Sequence, residues 1–149
     1  MQHEVSRYLF LAGGLVLVLL GVAHAILTPR HPAQSTGLSP SDPQLAAIMS
    51  RTHVRLTRRL DMWLAWVGFN FSHSLGLVVL GGLVLLIGRS EASFSANAAV
   101  FVPFASVSSA IYVLLAAKYW FRTPILGFGL CCLLFLSSWL LWFSVPDGR

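Results

Sequence analysis

Four stretches of this chain carry no charged side chain at all. Arg7 and Arg30 bracket 22 such residues, Asp61 and Arg89 bracket 27, Glu91 and Lys118 bracket 26, and Arg122 and Asp147 bracket 24. About 20 apolar residues in a helix cross a hydrocarbon layer ~30 Å thick. One charge at its centre costs about 2.5–3.5 kcal/mol on insertion scales. The four windows therefore predict transmembrane helices over about 8–27, 63–87, 97–117 and 124–144. Barrel strands of ~10 alternating residues would not give such continuous runs. The fold class expected is all-α, a four-helix transmembrane bundle formed as one integral membrane domain over residues 1–149.

Composition points the same way. Hydrophobic residues make up 56% of the chain and charged ones 10%, against about 25% charged in soluble domains. This argues against a cytosolic enzyme, a disordered tail and a nucleic-acid-binding module. The first window ends in Ala23-His24-Ala25, as a secretory signal does. Signal cores run only about 7–15 residues, however, so a retained span is expected.

The formal charge of +5 collects on one side. Alternating spans put Arg30, Arg51, Arg55, Arg58, Arg59, Lys118 and Arg122 on one face, and Arg7, Arg89 and Arg149 on the other. Positive residues stay inside. Loops 28–62 and 118–123 are therefore expected in the cytoplasm of a bacterial inner membrane, with both termini periplasmic or extracellular. Trp63, Trp66, Tyr119 and Trp120, and at the other boundary Tyr8, Phe10, Trp139 and Trp142, fit interfacial belts.

Between the first two spans, Pro29 to Pro43 is rich in Pro and Ser and reads as irregular. Ser41 or Asp42 can cap a helix with Pro43 at its first position. From there Leu45, Ile48, Met49, Thr52, Leu56, Leu60 and Trp63 recur at helical spacing. This predicts an amphipathic interfacial helix over about 43–61. Its polar stripe of Arg51, Arg55, Arg58 and Arg59 would face lipid headgroups or a partner. Thr123 and Pro124 read as the start of the fourth helix, and Pro103 as a kink or delay near the start of the third.

Association of helices in lipid relies on close backbone approach. Gly68, Ser72 and Gly76 form a small-residue ladder on the second span, and Gly14 and Gly21 lie two turns apart on the first. These are the expected packing faces, within the chain or in a homo-oligomer. His24 and His73 fall inside spans, and polar residues there need partners. Counting along the helices places Asn70, Ser109, Tyr112 and the Cys131–Cys132 pair at similar depth, whereas the opposite leaflet reads as nearly all Leu, Val and Phe. His24, Asn70, His73, Ser109 and Tyr112 are thus candidates either for interhelical hydrogen bonding or for a ligand pocket that takes a quinone, lipid or pigment. A third reading is haem b held by His24 and His73.

No acid sits in a span, and no nucleotide or metalloprotease motif occurs. Ser72-His73-Ser74 lacks an orienting carboxylate, so no catalytic residue is assigned and the sequence leans away from an enzyme. Two lone histidines make no metal site. Cys131 and Cys132 are sequence neighbours that do not face each other on a helix, and they read as packing residues.

The segment Gly21-Val22-Ala23-His24, followed by Pro29, resembles the end of the first helix in small DoxX-like bacterial four-helix membrane proteins. Gly68-Phe69-Asn70-Phe71-Ser72-His73-Ser74-Leu75-Gly76 is similar to a segment of other small bacterial integral membrane proteins. The resemblance implies a four-span bacterial protein without a defined activity. The Arg-bearing 44–61 segment departs from the compact DoxX-like pattern. The expected function is that of a non-catalytic accessory or scaffold subunit that packs against larger membrane partners and lipids. Ligand binding around His24 and His73 is the alternative.

Overall fold

The computed structural model describes residues 1–144 and is all-α. Its helices are α1 (Gln2–Leu27), α2 (Pro43–Met49), α3 (Met62–Gly88), α4 (Glu91–Tyr119) and α5 (Arg122–Phe143). The four long ones are long and apolar enough to cross a membrane. Asp147 and Arg149, used above in the charge count, lie outside the described residues.

The helices outrun the expected spans, most clearly at α4. It begins at Glu91 because Ser90 caps it, accepting a bond from Ser93 N at 3.2 Å. Glu91 in the first turn and Lys118 in the last complement the helix dipole. Pro103 therefore lies in the interior of α4 and does not delay its start. The backbone bond it removes is tolerated because α4 packs against α5. α5 likewise begins at Arg122, after Phe121 and without a side-chain cap, instead of being capped by Thr123.

The chain divides into two compact units. The first, residues 1–20 and 77–144, is the four-helix bundle. Its centre is aromatic: the Phe10 ring lies 5.5 Å from Phe94 and 5.7 Å from Phe135, and Phe94 meets Trp142 at 5.2 Å. Phe10 is thus a core residue and not part of an interfacial belt. Leu17, Val84, Val102, Phe128 and Cys131 complete the packing.

Adjacent glycines on α1 serve two neighbours. A Cβ at Gly13 would come within 2.5 Å of the Phe135 ring on α5. One at Gly14 would come within 2.5 Å of Val84 on α3, and one at Gly81 within 2.6 Å of the Gly14 carbonyl oxygen. Real Cβ contacts are never this short, so α1 and α3 cross where both lack side chains. Gly14 thus lies at this crossing. Gly21 is buried, in the other unit.

Two buried serines tie α1 to α5. Ser6 Oγ donates to the Ser138 carbonyl at 2.8 Å, and Ser138 Oγ donates back to the Ser6 carbonyl at 2.9 Å. Asn97 adds a bond from its amide to Ser93 O on α4. These polar contacts add to a region that the sequence reads as nearly all Leu, Val and Phe. At the end of α3, Arg7 Nη1 donates to the Gly88 carbonyl at 3.1 Å, meeting an otherwise unpaired helix C-terminus with a cation.

The second unit is residues 21–76. Thr28 and Thr36 hydroxyls and Leu38 N take up the last carbonyls of α1, on His24 and Leu27, so the chain leaves the helix before Pro29. Asp42 caps α2 by accepting from Gln44 N at 2.8 Å, with Pro43 next, as expected. The helix then stops at Met49 and does not continue to 61. Ser50 and Thr52 hydroxyls bond back to the Ala46 and Ile48 carbonyls. Beyond them the Thr52-His53-Val54 run is a poor helix former. The chain instead forms a narrow loop. Val54 N reaches Leu60 O at 3.1 Å, His53 bridges Asp61, and Met62 N reaches Thr52 O at 2.8 Å.

Candidate functional site

The second unit brings three of the expected polar residues together. His24 stands on the last turn of α1, and Asn70 and His73 lie one turn apart on α3. Asn70 is buried, and the two histidines are half-buried.

The hydrogen-bond pattern fixes the polarity of the cluster. Asn70 Nδ2 donates to the Trp66 carbonyl at 2.8 Å, which orients the amide. Its Oδ1 is then the atom 2.9 Å from His24 Nε2, so His24 donates through Nε2–H. The His24 and His73 rings meet edge to face, with centroids 5.1 Å apart and an interplanar angle of 61°. Phe69 lies nearly parallel to His73, at 6.4 Å and 19°.

This arrangement does not suit haem. Paired histidine ligands must each aim a nitrogen at an iron between them, with the porphyrin filling the gap. Here one imidazole edge touches the other's face, and His24 Nε2 is engaged by Asn70. Metal coordination fares no better, since the described residues hold no group of three or more His, Cys, Asp or Glu side chains suited to an ion. Nor do the serines beside His73 offer a nucleophile. Ser72 Oγ donates to Phe69 O at 2.8 Å and Ser74 Oγ to Asn70 O at 2.9 Å, each on its own helix. What remains is the His24–Asn70 hydrogen bond with the His73 ring against that of His24, polar groups suited to a carbonyl or hydroxyl ligand or to holding two helix ends in register.

Ser109 and Tyr112 belong to the bundle unit. Ser109 Oγ donates to Ser106 O at 2.9 Å, and Tyr112 stacks on Phe128 with centroids 4.7 Å apart. Cys131 is buried, with its thiol 3.9 Å from the Gly13 carbonyl, and both cysteines are free. Cys131 packs in the core, and Cys132 is half-buried.

The small-residue ladder does not pack within the chain, one of the two roles expected for it. Gly68, Ser72 and Gly76 are exposed, and a Cβ at either glycine would meet nothing within 4 Å. The close helix crossing is made by Gly14 and Gly81 instead. Gly81 could have been suspected from the Gly81-Gly82 doublet, but which glycine faces a neighbour depends on helix rotation, and the all-apolar stretch Leu77–Ile87 has no polar periodicity to fix it.

Arg51, Arg55, Arg58 and Arg59 are all exposed, and they sit on the loop that replaces the expected helix. Both acids of this unit act as helix caps. Asp42 holds Gln44 N, and Asp61 Oδ1 accepts from Leu64 N at 2.8 Å. Trp63 follows. Its buried indole N–H has no acceptor among the described residues.

Compared with protein-family models, curated proteins and solved structures, the chain finds no match in any of the three.

Proposed function

We propose that this chain is a non-catalytic accessory or scaffold subunit of a membrane assembly, anchored by its bundle and presenting residues 21–76 to partners and lipids. The carrying observation is the exposed Gly68-Ser72-Gly76 face of α3. Flat small-residue faces let a second helix approach closely, which is what association in lipid requires. The hydrogen-bonded state of the serines around His73 supports the absence of a catalytic role. The charge count favours loops 28–62 and 118–123 in the cytoplasm and both termini across a bacterial inner membrane, which is also the setting that the DoxX-like resemblance implies.

A photocrosslinking residue at Ser72 tests this reading in native membranes. The account expects a discrete adduct with another membrane protein or a second copy, absent when the probe is moved to Leu86 on the same helix. Lipid adducts alone at Ser72 would contradict it.

A second reading is favoured by the His24–Asn70–His73 contact: a quinone or lipid carbonyl held beside this polar cluster. A photoreactive quinone analogue should then label α3 near His73, and Asn70→Leu should reduce the labelling. Unchanged labelling in that variant would contradict it.

A further inference from the structure

We infer that the 52–62 loop is a docking element for anionic phospholipid headgroups, with Leu56 as an apolar tip set among arginines. The geometry of the loop carries this. Thr57 N donates to Val54 O at 3.2 Å, which closes a turn with Arg55 and Leu56 at its centre. Arg59 N donates to Thr57 Oγ1 at 3.1 Å, which continues the bend through Arg58. At this tip Leu56 is 98% exposed, the most exposed large apolar side chain of the described residues.

Charge complementarity selects the occupant. Arg55, Arg58 and Arg59 of the loop, and Arg51 just before it, are exposed and have no ion pair among the described residues, and the two nearby carboxylates cap α2 and α3. The loop therefore presents a net positive charge around a leucine. A headgroup layer accepts both, with phosphates for the guanidiniums and the acyl boundary for the leucine.

Tethering favours lipid over an acidic protein. The root of the loop is bonded to the start of α3 through Met62 N and Asp61, with no linker between loop and span. Trp63 and Trp66 follow within a turn, their rings 5.4 Å apart. A tip held this close to the end of a membrane-spanning helix meets headgroups first. α2 contributes Leu45 and Ile48, which are also exposed.

This inference refines the lipid half of the proposed function and rests only on α3 spanning a membrane. A failed Ser72 crosslink would leave it standing. Native mass spectrometry of the full chain, released from equimolar phosphatidylglycerol and phosphatidylcholine, tests it. An arginine near an anionic surface contributes about five-fold in partitioning. The wild type is expected to retain phosphatidylglycerol over phosphatidylcholine by about tenfold or more. Arg55→Gln/Arg58→Gln/Arg59→Gln should bring that ratio down several-fold at unchanged melting temperature. The corresponding triple Lys variant should keep most of it, and Leu56→Ser should fall between. A wild-type ratio near unity, or an equal ratio in the wild type and the triple Gln variant, overturns the inference. Either outcome would leave an acidic protein surface as the better match for these arginines.

Discussion

The bundle unit and the 21–76 unit differ in how they use small and polar residues. In the bundle, Gly13, Gly14 and Gly81 sit where no side chain fits, and Ser6 and Ser138 bond to each other across two helices. In the 21–76 unit, Gly68 and Gly76 face open space, and four arginines face outward without carboxylates. Residues of the same types thus close one region on itself and leave the other open for contact. In lipid, where burial of apolar surface supplies little drive, this difference separates structural from interactive surface more clearly than hydrophobicity does.

The largest expected effect lies at the helix crossing. Gly81→Ala places a methyl 2.6 Å from the Gly14 carbonyl and 2.8 Å from Val18 Cγ2, so backbone must move. A loss of about 1–3 kcal/mol is expected in detergent-solubilised unfolding. Gly76→Ala should leave stability unchanged or slightly raised, since helix interiors favour Ala. Equal losses at the two positions would erase the contrast.

Ser138→Ala should cost about 0.6–1.7 kcal/mol, the range of interhelical bonds in membranes. Combining it with Ser6→Ala should cost less than the sum, because the two hydroxyls act on each other. Additive losses would show the pair to be independent. Asn70→Leu should cost about 0.6 kcal/mol. Nitrogen NMR should show His24 Nε2 losing its hydrogen-bonded N–H signature, and an unchanged His24 spectrum would contradict the assigned tautomer.

Much of this fold was legible from charge alone. The four windows between Arg7 and Asp147 located the four long helices, because the cost of a charge in lipid is large and local. Asp42 and Pro43 marked the start of α2. Counting depth along helices grouped His24, Asn70 and His73, but it grouped Ser109 and Tyr112 with them, and depth does not say which residues share a face. What failed depended on rotation and on competition between backbone partners. Gly68, Ser72 and Gly76 repeat at the spacing of a packing face, yet spacing alone does not say whether that face meets a helix of this chain or of another. The 50–61 segment keeps apolar residues at helical spacing, but Ser50 and Thr52 satisfy the end of α2, and Val54 pairs with Leu60. The Ser6–Ser138 clasp joins residues 132 positions apart, beyond any local pattern.

The central claim is that α3 runs through lipid with Gly81 packed against Gly14 and with Gly68, Ser72 and Gly76 exposed. A nitroxide scan of α3 in nanodiscs, read by oxygen and nickel-chelate collisions, tests it most directly. The account predicts high oxygen and low nickel accessibility at 68, 72 and 76, with both low at 81 and 84. Lipid exposure at 81 with protection at 68 and 76, or nickel access along the whole helix, would contradict it.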